Sequence, residues 1–313
     1  VIQYNLIIID GNNLASVSFF AFRNLSARIK GEEVRTGSVF GFFDRLIDLK
    51  KNYLKPDGRI IATWDMGYGK RRSIYPEYKG NREVKKGTEE FENLGIQMGR
   101  IKELLLFTSI SSAFIPNQEA DDTIASLVEL NTYHKRKKNK SLKGTKVLIV
   151  SGDGDLNQLI GENVHQLLIG RRKKNLLHLG NYEKEFGIEA HEVLLKKMLQ
   201  GDSSDNITGI EKVGPKTAVK FINQFSNTEK MLLLKGKGII PAALGKWLVK
   251  RNRNQEEIKK LLVRNWKLMN LNGYMKGIKI RRGKPTPDKL EAAFEEMEMQ
   301  SLLRPTIFKL LVG

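Results

Sequence analysis

Three short runs of mostly aliphatic residues each stop at an aspartate: Leu6 to Ile9 at Asp10, Arg59 to Trp64 at Asp65, and Lys146 to Val150 just before Ser151-Gly-Asp-Gly-Asp155. Runs this short and this apolar read as strands buried on both faces, the pattern of a parallel sheet covered by helices. The segments between them supply those helices. Val39, Phe42, Phe43, Leu46 and Ile47 recur at helical spacing after the first run, and Phe91, Leu94, Met98, Ile101 and Leu105 do so after the second. Two further short strands are expected at Ala113 to Ile115 and at Val164 to Leu168. The alternation predicts an α/β fold, a mostly parallel sheet flanked by helices. Such sheets bind ligands beyond the carboxyl ends of their strands, so Asp10, Asp65, Asp153 and Asp155 are expected to converge on one rim.

A further acidic group joins them. Glu119-Ala-Asp-Asp122 puts three carboxylates at the start of an expected helix, Asp122 to Leu130, and no Lys or Arg lies between Glu103 and His134. One acid at a helix start complements the helix dipole; three repel one another and either hold protons or recruit a cation. The sequence offers this cluster no local counter-ion. Windows without Lys or Arg also surround the other acids, at Val1 to Phe22, Ile60 to Gly69, Val147 to Gly170, and Met198 to Glu211, which holds Gly201-Asp-Ser-Ser-Asp205. Buried strands exclude basic residues anyway, but burial alone does not explain aspartates recurring at the element ends. Oxygen-only donors suit hard cations such as Mg2+ or Mn2+ rather than zinc. Several carboxylates on one rim can hold two such ions about 3.5–4 Å apart, an arrangement suited to phosphodiester hydrolysis.

Outside these windows the charge has the opposite sign. The 313 residues carry 54 Lys+Arg against 35 Asp+Glu, a formal net charge of +19. The basic residues clump at Lys70 to Arg72, Lys135 to Lys138, Arg171 to Lys174, Lys250 to Arg253 and Lys279 to Arg282. Such a field favours polyanions, nucleic acid first. The absence of cysteine rules out disulfides and thiolate metal sites and fits a reducing cytoplasm. No apolar stretch is long enough to span a bilayer, and no basic segment precedes the first apolar run, so neither a membrane helix nor a signal peptide is expected.

These motifs resemble the flap-endonuclease superfamily of 5′ nucleases, in particular bacteriophage 5′-3′ exonucleases and the N-terminal 5′ nuclease domain of bacterial DNA polymerase I. The resemblance runs in the family's order through Ile8-Ile-Asp-Gly-Asn-Asn-Leu14, Tyr75-Pro-Glu-Tyr-Lys-Gly-Asn-Arg82, Glu119 to Asp122, Ser151 to Asp155, Gly201-Asp-Ser-Ser-Asp-Asn-Ile207 and Gly209 to Ala218. It implies a PIN-like catalytic α/β domain over residues 1–180 with a helical arch at about 76–107, and a helical DNA-binding region over 181–313. By the same resemblance, Asp10, Asp65, Glu119, Asp121 and Asp122 serve the more tightly held metal, Asp153 and Asp155 complete the rim with Asp153 catalytic, and Asp202 and Asp205 stand on the second metal's side. Two Mg2+ ions, replaceable by Mn2+, are implied.

The stretch Tyr78 to Arg82 resembles the base of the arch, where Lys79 and Arg82 would grip the scissile phosphate and Tyr78 would stack on a base. Gly209 to Ala218 resembles the family's helix-turn-helix element for duplex DNA. There Gly209 and Gly214 would turn the backbone, Lys212, Lys216 and Thr217 would meet phosphates, and K+ would sit at the turn. The implied activity is Mg2+-dependent 5′-3′ exonuclease and flap endonuclease action in replication or repair. Its substrates would be DNA with a 5′ flap or overhang and the RNA of primers in RNA-DNA hybrids. A monomer off the membrane is expected, in the bacterial host cytoplasm if phage-encoded, and free-standing because no polymerase region follows. Trp64 and Met66-Gly-Tyr-Gly69 depart from the small residues of the family pattern. Two rivals remain on the sequence: a silent junction-binding protein, disfavoured by the intact acids, and a PIN-type ribonuclease, disfavoured by the arch and helix-turn-helix motifs.

Overall fold

The computed structural model describes residues 2–81, 87–134, 144–170, 174–271 and 273–313. The first aliphatic run forms β1 (Tyr4–Asp10), the central strand of a seven-stranded sheet. On one side of it lie β4 (Leu54–Thr63), β5 (Ser111–Phe114) and β11 (Lys279–Arg281). On the other lie β6 (Val147–Val150), β7 (Val164–Ile169) and β8 (Lys174–Leu177). The five inner strands are parallel, and both edge strands run antiparallel to their neighbours. From β1 the chain builds outward through β4 to β5, then crosses back to start again at β6. The strand order therefore reverses between β1 and β6, the switch point at which sheets of this kind open a crevice.

Successive residues of a strand face opposite sides of the sheet, and β1 is apolar at nearly every position because both sides are covered. Tyr4, Ile7 and Ile9 enter one core with α1 (Gly11–Ala21), α2 (Gly37–Asn52) and α4 (Glu89–Leu105). Leu6 and Ile8 enter the other with α5 (Ala120–Glu129). The parallel register sets Ile8 beside Ile61 and Ile149 in that second layer.

Of the stretch expected as arch, at about 76–107, residues 82–86 lie outside the described residues and helix α4 is divided. The second half of α4 is core, with Gln97, Ile101, Leu104 and Leu105 buried, whereas Phe91 and Ile96 in its first half are exposed. Apolar spacing of three and four marks a helix but does not reveal how much of it is covered. Also beyond the sequence reading is a hairpin of β2 (Ser26–Ile29) and β3 (Glu32–Arg35), which turns through Lys30 and Gly31 at φ 52° and 89°.

A third core, from Leu177 to Met269, is built by short helices including Val193–Gln200, Pro215–Ile222 and Gln255–Met269. The chain then returns. Strand β11 pairs with β5, and helices Pro287–Glu296 and Pro305–Val312 bury Leu290, Phe294 and Leu311 against α2 in the first core. The tail is thus helical, but residues 279–313 pack on the sheet and its first core, so the region expected over 181–313 is not one helical unit. Among the described residues no helix is long and apolar enough to cross a membrane.

Candidate active site

A cleft of about 630 Å3 opens at the carboxyl ends of β1 and β4, lined by Asp10, Asp65, Glu119, Asp121 and Asp153 and overhung by Phe91 and Met98 of α4. Asp10 caps α1, accepting from the Asn13 amide at 3.0 Å and from the Ser151 hydroxyl at 2.9 Å. The Asp65 carboxylate accepts from the Ala120 amide at 2.7 Å and so caps the helix of another layer, α5. Asp153 accepts from the Asp155 amide at 2.8 Å. Burial pushes Asp10 up to about 7, with repulsion from Asp65 and Asp153 adding to it. Burial, with Asp153 and Asp10 alongside, likewise lifts Asp121 well above the usual carboxylate range.

On this side of the rim no Lys or Arg among the described residues forms an ion pair with Asp10, Asp65, Asp121 or Asp153, and this oxygen-only donor set fits a hard divalent cation. Among the described residues no three acidic or histidine side chains already form a closed cage, so these carboxylates would turn inward around an ion.

The other side is neutralised by the protein itself. The absence of basic residues around Glu119 to Asp122 predicted a cluster without a counter-ion, but the fold brings two cations from elsewhere. Arg71 opens the short helix α3 (Arg71–Ile74) and grips Asp122 with two hydrogen bonds of 2.6 and 2.8 Å. It also reaches Glu119 at 3.0 Å and donates to the Leu268 carbonyl at 2.8 Å. Asp122 further accepts from the Glu119 amide at 3.3 Å, completing a reciprocal cap. Asp122, expected as a metal ligand, is held here by Arg71 and by its place in the cap, and α5 starts at Ala120 rather than at Asp122.

Tyr78, expected to stack on a base, is 3% exposed, its hydroxyl 2.8 Å from Glu119 Oε2 and 3.1 Å from Asp205 Oδ2. Burial, then Glu119 and Asp205, push its phenol far up, so it stays a donor. The Lys79 ammonium pairs with Glu119 and lies 3.6 Å from Asp205.

Lys197, absent from the sequence reading, spans Asp155 and Asp202. Burial, then Asp153, raise Asp155 to about 6 despite this lysine. Burial would raise Asp202 too, but Lys197 and Ser204 overcome it and hold that carboxyl below the ordinary range. The available signal was a lysine pair, Lys196-Lys197, inside an otherwise apolar helix ending next to Asp202.

The arch-base motif and the Gly201 to Ile207 motif form one unit. The Lys79 amide donates to the Asp205 carbonyl at 2.9 Å, Asn81 to the Ser203 carbonyl at 3.0 Å, and Asn206 to the Glu77 carbonyl at 2.9 Å. Lys79 and Asn206 take left-handed backbone conformations, φ 56° and 58°, to make this contact. Arg82 lies outside the described residues.

Beyond this junction, helix Val193–Gln200, a hairpin of β9 (Gly201–Asp202) and β10 (Ile207–Thr208), and helix Pro215–Ile222 realise the helix-turn-helix. Gly209 is required by close approach, since a Cβ there would sit 2.1 Å from the Gln200 carbonyl carbon. Gly214 is not: its φ is −84° and a Cβ would meet nothing within 4 Å. Its missing side chain instead leaves the helix start open, beside exposed Lys212 and Lys216 and half-buried Thr217. Lys212 faces Arg251 and Arg253 across a hollow of about 320 Å3. The basic runs at 135–138 and 171–173 lie outside the described residues.

With this geometry in hand, the comparisons agree with one another. Residues 5–187 match the family model of the 5′-3′ exonuclease N-terminal resolvase-like domain, and residues 188–282 that of the 5′-3′ exonuclease C-terminal SAM fold. The chain is 32% identical over 299 residues to the 5′-3′ exonuclease of Aquifex aeolicus, covering 96% of this chain and 94% of that one. It is 34% identical over 233 residues to DNA polymerase I of Bacillus subtilis, covering 72% of this chain and 24% of that one. Among solved structures, the bacteriophage T5 flap endonuclease in a complex with DNA and metal ions superposes with a TM-score of 0.62 at 25% identity, covering 86% of this chain and 89% of that one. Human GEN1 bound to Holliday junction DNA shares the fold, with a TM-score of 0.56 at 14% identity, over 96% of this chain and 71% of that one. Fold and rim together define a 5′ nuclease of the flap-endonuclease superfamily. Within it, the chain belongs to the 5′-3′ exonuclease family.

Proposed function

We propose that this chain is a divalent-metal-dependent, structure-specific 5′ nuclease that hydrolyses DNA near the junction of a duplex with a 5′ single strand. The observation that carries this is the rim of Asp10, Asp65, Asp121 and Asp153, without an ion pair among the described residues, with the Lys79 ammonium at its edge. Those four acids would hold one cation, and Asp155, Asp202 and Asp205 would serve a second, with Mg2+ the suited ion and Mn2+ its substitute. When bound, the ions polarise the phosphate and lower the pKa of the attacking water.

The protein's own groups do the rest. Lys79 exchanges Glu119 for a phosphate oxygen, where negative charge grows during displacement. Tyr78 and Asp205 keep that ammonium directed at the cleft. Arg82, by its place in the motif, completes the phosphate grip. The open start of helix Pro215–Ile222 offers amides to a duplex phosphate, with Lys212, Lys216 and Thr217 beside it and K+ at the turn. The duplex rests there while the 5′ strand enters beneath the first half of α4, and a base pair opens at the junction. The products are a 5′-phosphate and a 3′-hydroxyl.

The family membership supports a role in replication or repair, with the RNA of primers as a second substrate and a monomer as the working form. A silent junction binder is disfavoured because four mutually repelling carboxylates would weaken the binding of phosphates.

The test is a 5′-flap DNA labelled at its 3′ end, incubated with Mg2+ or with EDTA. A Mg2+-dependent cut at the junction is expected, and a ladder from the 5′ end would assign the exonuclease mode. Tight, flap-selective binding without any cut would overturn the nuclease reading.

A further inference from the structure

A second large cleft lies at the opposite end of the sheet, and the nuclease reading makes no use of it. It is a cleft of about 1000 Å3 where β4 and β5 begin. Six cations from separate elements line it: Lys50 and Lys51 at the end of α2, Lys55 and Arg59 on β4, Arg282 just after β11, and Lys309 on helix Pro305–Val312. Among the described residues no Asp or Glu side chain lines it, although Asp57 is exposed on β4 between Lys55 and Arg59. Lys50 is fixed in the wall, donating to the Gly313 carbonyl at 2.7 Å and to the Ser109 hydroxyl at 3.0 Å. Between the cations the lining is mixed: Gln3, Ser109, Ser111 and Thr306 are polar, Ile60 and Ile110 are buried at the floor, and Leu310 and Ile280, the latter 51% exposed, are aliphatic. Among the described residues no aromatic ring lines the cleft.

Arg59 lies four strand steps before the end of β4 at Thr63, roughly 13 Å at about 3.3 Å per residue, and Asp65 lies beyond that end. The cleft therefore faces away from the acidic rim. A nucleic-acid strand is held by cations together with aromatic rings on which its bases stack, and here the cations surround an aliphatic floor. An apolar centre with a charged border is instead the anatomy of a protein interface, and clustered like charges select a partner of opposite sign.

We propose that this cleft docks an acidic peptide segment carrying apolar side chains, contributed by a partner protein. Its position lets the partner hold the enzyme while the rim stays open to DNA.

The test uses three fluorescein-labelled probes of equal charge: a peptide of aspartates interspersed with leucines, a plain oligo-aspartate, and an oligothymidylate. Fluorescence anisotropy should show the leucine-bearing peptide binding about tenfold tighter than the oligo-aspartate, as complementary charge with apolar anchoring requires. The double charge reversal R59E/K309E should weaken that peptide about tenfold or more, while flap-DNA cleavage stays near wild type. Ile280→Ser, on an exposed edge strand, should weaken the leucine-bearing peptide but not the oligo-aspartate, and provides an independent reading should the charge reversal disturb folding. If the oligothymidylate binds tightest and is the probe released by R59E/K309E, the cleft is a nucleic-acid site and the proposal fails. Peptide affinity unchanged in both variants would also overturn it.

Discussion

Asp121 and Asp122 are neighbours on the first turn of α5, yet they meet opposite surroundings. Asp122 is clamped by two hydrogen bonds from Arg71 and by the Glu119 amide. Asp121 has Asp153 and Asp10 for company, and its carboxyl is lifted well above the usual range by burial and by them. The same division runs along the whole rim. Glu119, Asp155, Asp202 and Asp205 touch Lys79, Lys197 or Arg71, whereas Asp10, Asp65 and Asp153 lean on amides and hydroxyls. Arg71 braces Asp122 and Glu119 into the fold, and the acids proposed for the second ion already stand beside Lys79 or Lys197. Around the ion proposed for Asp10, Asp65, Asp121 and Asp153 the charge is left standing, at a cost in stability while that metal is away.

The largest effect should come from the bare side. Asp153→Asn is expected to slow flap cleavage on the order of 10³-fold, the scale of losing a charge-stabilising group, with junction binding in a gel-shift assay kept. Cleavage at the wild-type rate would mean that the working rim lies elsewhere. On the neutralised side, Arg71→Met should cost about 3–5 kcal/mol of stability in urea unfolding, because it strands the buried Asp122 and Glu119. Activity should fall only through that loss of fold, and combining the change with Asp122→Leu should recover much of the stability. An unshifted midpoint in the single variant would remove the distinction between the two sides.

A third comparison is pH. The folded carboxyl of Asp10 titrates near 7 against an ordinary 3.8, so folding favours its protonated form. Its contribution is most favourable below the unfolded pKa and is lost as pH rises through about 7, at about 1.4 kcal/mol for each unit of displacement. In EDTA, thermal melts should therefore show the wild type losing stability between pH 5 and pH 8 relative to Asp10→Asn, and saturating Mg2+ should close the gap. Parallel curves in EDTA would mean that the bare side is not strained. The smallest effect belongs to Tyr78→Phe, expected to cost about 1 kcal/mol for one buried hydrogen bond and to leave flap affinity unchanged. A large drop in affinity would restore Tyr78 as a base-stacking residue.

Much of this could be read from the chain. An aliphatic run buried on both faces has few other ways to exist, so β1, β4 and β6 and the aspartates beyond them were legible. The pairing of charges was not. Arg71 lies 51 residues from Asp122 and Lys79 lies 40 from Glu119, so a sequence window empty of basic residues describes only the local chain. The direction of Tyr78 was hidden for the same reason, because its partners Glu119 and Asp205 come from two other motifs. Strands β2, β3 and β11 are short; β3 and β11 are largely exposed and β2 buries only Ala27, so none carries an apolar period to detect.

The return of the chain to the sheet bears on how the molecule is made. Synthesis delivers β1, α1 and α2 first, but their core also contains Leu290, Phe294, Leu302 and Leu311. Until those residues leave the ribosome, the first-made layer has an open apolar face, while the helical module around Leu194, Phe221 and Leu262 can already close on itself. The part translated first would finish folding last, leaving a window in which a chaperone has an apolar surface to hold.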